Sequence, residues 1–136
     1  MKLLSPTGRT YQVNIAKYKV DWNAKCRSKF QFNVKQFLKP YLLCHVVCEE
    51  FRIPGTKLTC DLIDFSTHNI FEAQGIQHID YNKFFHNGSK LNFLNQIKRD
   101  QDKSKWAENN GFTLVEIFPD DVLNKQWFLD KYNITL

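Results

Sequence analysis

The stretch from Cys60 to His78, CDLIDFSTHNIFEAQGIQH, constrains the chain most: two short apolar runs, each crossed by acidic residues, flank the turn-like Ser66-Thr67-His68-Asn69. Apolar pairs such as Leu62-Ile63 and Ile70-Phe71, set among alternating polar positions, suit half-buried strands. Side chains alternate faces along a strand, so Asp61, Ile63 and Phe65 are expected on one face and Asp64 on the other. By the same parity Glu72, Gln74, Ile76 and His78 share a face. A hairpin would therefore bring Asp61 beside Glu72 and Gln74. Two carboxylates and a polar side chain so placed make a seat for a hard divalent cation, which prefers oxygen ligands.

Elsewhere the periodicity changes with position. Phe30, Val34, Phe37, Leu38 and Tyr41 recur at helical spacing, which predicts an amphipathic helix over about 23–38, limited by Pro40. HVVCEEFRI (45–53) reads as a strand and Pro54-Gly55-Thr56-Lys57 as the turn into the Asp61 strand. Glu49 and Glu50 are expected on opposite faces of that strand; one of them could reach the cation, but pairing with Arg52 or Lys57 is the use first expected of them. A long helix is expected over about 89–110, stopped at Asn110-Gly111. Asp100 falls on its stripe with Phe93 and Ile97; a carboxylate there needs a partner or a task, and Lys98, Arg99, Lys103 and Lys105 surround it. FTLVEI (112–117) predicts another strand, and a last helix is expected over about 121–131, with Leu123, Trp127 and Phe128 on its apolar side. Residues 1–23 lack a clean period and read either as a small sheet packed on the core or as an arm lying along a partner. Helix, three strands, helix, strand, helix predicts an α/β sandwich with a mixed central sheet flanked by helices.

The chain is read as one domain of 136 residues, with 43% hydrophobic and 15% aromatic content befitting a packed globule. No apolar run approaches the length of a membrane span, and the start is too short in apolar residues for a secretory signal, so an intracellular protein without a membrane partner is expected. Cys26, Cys44, Cys48 and Cys60 then read as free thiols; Cys44, His45 and Cys48 lack the paired spacing of a zinc site. The net charge of +5 conceals an asymmetry: residues 1–40 carry nine Lys or Arg against the single Asp21, a balance of +8, and the remainder carries ten against thirteen, a balance of −3. Basic residues interleaved with Tyr11, Tyr18, Trp22, Phe30 and Phe32 point to a polyanionic partner, and to nucleic acid rather than a membrane surface. Arg9, Lys17, Lys19, Lys25, Arg27, Lys29 and Lys35 are the candidate phosphate contacts. The bland alternative is a solvated basic face.

In order, the pieces EEFRIPGTKLTCD, IFEAQGIQH, KFFHN, IKRDQDKSKW and FTLVEIFPDD, spanning about 24–121, resemble the PD-(D/E)XK nuclease superfamily. Within it the likeness is to small phage-encoded freestanding homing endonucleases of the Vsr-like branch. The resemblance implies a restriction-endonuclease-like fold, with a basic DNA-binding region at 1–40 and a catalytic core at 41–136. It implies a metal-dependent endonuclease acting on double-stranded DNA, placed in the host cytoplasm if phage-encoded. Asp61 and Glu72 would hold Mg²⁺ (or Mn²⁺). Gln74 stands where the motif usually has Lys; a glutamine orients water but carries no charge and cannot act as a base. His78 would serve in proton transfer, with Asp100 in support. A two-fold dimer would extend the footprint of so small a chain. Two alternatives stay open: a mismatch- or structure-selective nicking enzyme, and a non-catalytic nucleic-acid-binding module on the same fold.

Overall fold

In the computed structural model, which describes residues 1–74 and 90–136, a four-stranded mixed sheet carries helices on both faces. A two-stranded antiparallel sheet, β1 (Lys2–Leu4) and β2 (Thr10–Gln12), and a 3₁₀ turn at Ile15–Tyr18 lead into helix α1 (Lys29–Leu42). Then come β3 (Val47–Arg52), β4 (Thr59–Asp64), β5 (Asn69–Ala73), helix α2 (Lys90–Asn109), β6 (Thr113–Ile117) and helix α3 (Lys125–Tyr132). The sheet order is β3-β4-β5-β6, antiparallel except for the parallel pair β5/β6.

One face of the sheet packs Phe51, Ile63, Phe65 and Ile70 against Trp106 and Ala107 of α2 and against Leu3 of the small sheet. The other packs Leu62, Phe71, Val115 and Ile117 against Val34, Leu38 and Leu42 of α1 and Phe128 of α3. Leu3, with Val13 and Ile15 beside it, places residues 1–15 on the core, so the small-sheet reading holds and the arm is set aside. No helix of the described residues is long and apolar enough to cross a membrane.

Local chemistry explains where elements begin and end. Helix α1 starts later than its stripe suggested because the Ser28 side chain accepts from the Gln31 N–H at 3.0 Å. It also runs past Pro40, contrary to expectation. The proline forfeits one backbone hydrogen bond, but Leu38 and Leu42 are 0% and 2% exposed, and their burial outweighs that loss. Helix α3 starts at Lys125 rather than Asp121 because Asn124 caps it, while Asp121 turns back to accept from the Phe118 N–H. At the β4–β5 turn, buried Asp64 accepts from the Ser66 N–H and the Thr67 hydroxyl and lies 2.7 Å from His45 Nδ1. Helix α2 ends at Asn109 and Gly111 takes φ +75, as the Asn-Gly stop predicted. Ile97 is 38% exposed, so the stripe expected to carry Asp100 inward is not buried at that turn.

Candidate active site

The β4/β5 ladder pairs Asp64 with Asn69, Ile63 with Ile70 and Leu62 with Phe71, and one further step would set Asp61 opposite Glu72. Like charges directly opposed in a ladder repel. Here side chains replace the backbone pairing: the Asp61 N–H donates to Glu72 Oε2 at 2.8 Å, and the Ala73 N–H donates to Asp61 Oδ2 at 2.9 Å. Beyond this point β5 stays with β6, the Gln74 N–H donating to the Ile117 carbonyl at 2.8 Å. The sheet therefore opens between β4 and β5 with two carboxylates set in the fork.

The distortion extends into β3. Glu50 adopts φ +47, and the register that pairs Glu49 with Leu62 and Phe51 with Cys60 skips Glu50 and Asp61. Both strands change phase there: Cys48 and Phe51, and likewise Cys60 and Ile63, share a core layer although the members of each pair stand an odd three positions apart. The face assignment by parity thus fails for Asp61. It borders the α1 side with Leu62 and Phe71, although Ile63 and Phe65 pack on the other face. It fails for Glu49 and Glu50 too, since both engage the α1 flank. Glu49 bonds Lys35 Nζ at 2.7 Å and the Asp21 N–H at 2.6 Å. Glu50 accepts from Gln31 Nε2 at 2.9 Å, and its buried Oε2 has no hydrogen bond, only Arg27 at 3.5 Å.

Glu72 is 3% exposed and its Oε1 lies 2.6 Å from Lys103 Nζ on α2. Burial and the adjacent Glu72 charge push the Asp61 carboxyl up to about 8, against the weaker pull of the Ala73 N–H and Lys103. Burial works against the Lys103 ammonium, but the charge and hydrogen bond of Glu72, with smaller contributions from Cys60 and Asp61, together raise that group above its ordinary value. Asp61 therefore holds a proton at neutral pH.

That proton has a consequence for stability. Between about 4 and 8 the unfolded chain has released the Asp61 proton and the folded chain has not, so folding stability falls as pH rises through this window and levels off above it. Denaturant titrations at pH 5, 7 and 9 should show this decline in the wild type without metal and a flatter profile in Asp61→Asn. Parallel profiles would refute it.

Gln74 is buried immediately past β5, two residues beyond Glu72. Asp100 is half-buried on α2, three residues before Lys103. His78 and the aromatic loop at 79–87 lie outside the described residues. Of the expected phosphate contacts, Arg9, Lys17, Lys19, Lys25, Arg27 and Lys29 are exposed. Lys35 is a correction: its side chain is 3% exposed and its ammonium is bound to Glu49 and the Ala24 carbonyl, a buried structural pair. Lys103 is the member that sequence reasoning misses, because in the sequence it stands only as a neighbour of Asp100. Its signal was its place one turn before Trp106, which is fully buried and keeps that helix face against the sheet.

Among the described residues no group of three or more His, Cys, Asp or Glu side chains is arranged to hold a metal ion. The donor chemistry of Asp61 and Glu72 still fits Mg²⁺, which commonly takes one or two carboxylates and completes its shell with water and phosphate oxygens. Compared with known proteins, the chain matches no family model, no curated protein and no solved structure.

Proposed function

We propose that the chain is a metal-dependent DNA endonuclease on a restriction-endonuclease-like sandwich, cutting at a specific site in the manner of small phage homing endonucleases. The observation that carries this reading is the Asp61–Glu72 pair. Two largely buried carboxylates from neighbouring strands meet where the ladder opens, at a desolvation cost that a turn or a core does not require. Asp61 and Glu72 would hold Mg²⁺ or Mn²⁺, which when bound neutralises charge on the reacting phosphate and acidifies water. Gln74 orients the attacking water, and Lys103 supplies from α2 the positive charge that the position of Gln74 lacks. His78 is the proposed proton-transfer group and Asp100 a supporting carboxylate. Duplex DNA is the substrate, and a two-fold dimer would reach both strands.

A second reading, a binding module without catalysis, draws on the Lys103 ammonium seated on Glu72 and on the glutamine at position 74. Incubation with a supercoiled plasmid library separates the two. Cleavage at discrete positions with Mg²⁺, abolished by EDTA while DNA binding persists, is the expected result. Binding without cleavage in either Mg²⁺ or Mn²⁺ would hand the chain to the second reading. The length of the preferred target, or a preference for mismatched or branched duplexes, distinguishes a homing enzyme from a repair-type nickase.

A further inference from the structure

We infer that duplex DNA docks in a basic groove centred on the β3–β4 turn, on the α2 flank of the carboxylate pair, and not only on the basic residues before Pro40. Three adjoining clefts meet at Gly55. The two larger ones, of about 390 and 370 Å³, are lined by Arg52, Thr56 and Lys57, and by Lys98, Asp102 and Lys105 of α2 with the β1–β2 segment. Lys17 lines the third. Among the described residues, five cations thus line these clefts against the single carboxylate of Asp102. All five are exposed, unlike Lys35.

The groove is built rather than incidental. Gly55 takes φ +78, and a side chain there would meet Tyr11 Oη at 3.1 Å and Ser5 Cβ at 3.2 Å, so the turn is seated tightly on the small sheet. Arg52 Nε donates to the Thr56 carbonyl at 2.8 Å, which pins the guanidinium and reduces the ordering it would undergo on meeting a phosphate. The groove also adjoins the candidate site along two elements. Arg52 pairs with Thr59, two residues from Asp61, or about 7 Å along β4. Lys98 and Lys105 bracket Lys103, within about 8 Å along α2. Lys25, Arg27 and Lys29 lie beyond the α1 side of the same carboxylates, Arg27 reaching Glu50. A phosphate backbone laid across both flanks passes over the fork at Asp61 and Glu72.

The occupant is a regular polyanion, and the choice of duplex DNA rests on the nuclease reading. The test is therefore made without metal, so that binding is measured apart from cleavage. Binding of a fluorescent 30-bp duplex in EDTA is followed from 50 to 200 mM salt for the wild type and for Lys57→Ala/Lys98→Ala/Lys105→Ala. Each lost phosphate contact lowers the slope of log K against log salt by about 0.9, so a slope shallower by roughly 2–3 and an affinity weaker by roughly 10- to 100-fold are expected. A coincident thermal melt shows that the variant is folded. An unchanged slope and affinity overturn the inference, as does tighter binding of an RNA duplex with the same lysine dependence. Lysine-dependent binding with no cleavage under Mg²⁺ upholds the groove and defeats only the catalytic reading.

Discussion

Glu72→Ala is expected to reduce Mg²⁺-dependent plasmid cleavage by roughly 10²–10³-fold or more, the scale of losing a principal electrostatic contributor to a reacting centre. Three connections end on this side chain: the Asp61 N–H, the Lys103 ammonium and the charge that keeps Asp61 protonated. Removing it leaves a buried N–H without its acceptor, a penalty of about 1–3 kcal/mol. The ammonium of Lys103 loses its partner as well, but its side chain is 23% exposed and can swing toward water, so the full penalty of breaking a buried pair does not apply. Relief of Asp61 works in the opposite direction. A net stability loss of about 1–3 kcal/mol is therefore expected, too small to unfold a domain of ordinary stability. Glu72→Gln separates chemistry from folding: it keeps the volume and one acceptor but removes the charge. Relaxation rates, duplex binding and denaturation measured on the same preparations should show cleavage lost in both variants and binding kept in both. A Glu72→Gln variant that cuts at the wild-type rate would sink the proposed role.

Strand parity and turn chemistry make the β4–β5 hairpin and the meeting of Asp61 with Glu72 legible in the sequence. Both are local, and the register follows from a turn held by Asp64. Parity stops being informative at the fork, because a phase change shared by two strands leaves no trace in either one alone. Glu49 and Glu50 accordingly fall on one flank, and Asp61 departs from the face of Ile63 and Phe65. Charge counting finds the basic first third but cannot distinguish exposed Lys29 from buried Lys35, whose Glu49 partner sits 14 residues away. Lys103 was hidden for a related reason. Its partner, Glu72, is 31 residues distant, and only the packing of α2 on the sheet brings them together. Pro40 shows the converse, a local rule overridden by burial of the helix that contains it.

Phe51→Ala is expected to destabilise the fold by about 3–5 kcal/mol, the range for deleting a fully buried aromatic side chain. Phe51 is 0% exposed and follows directly on the strained Glu50. Its ring meets Tyr18 at 5.0 Å and Phe65 at 5.5 Å edge-on, and Trp106 at 6.2 Å. It therefore ties the 3₁₀ turn, the sheet and α2 together at the level where β3 changes phase. Trp106 in turn stacks on Phe112 at 5.6 Å and is itself fully buried, so the cavity is expected to stay largely open on that side. Urea titration should show a lower midpoint with an unchanged slope if only the native packing has suffered. The same substitution bears on the site, since Lys103 lies one turn before Trp106 and meets Glu72 only while that helix is held against β5. Cleavage by the folded fraction of Phe51→Ala should fall more than its DNA affinity does, because the groove lysines are exposed and tolerate a shift of α2 that a 2.6 Å contact does not. Equal losses in binding and cleavage would mean that the aromatic layer supports the whole surface rather than the alignment of Lys103 with Glu72.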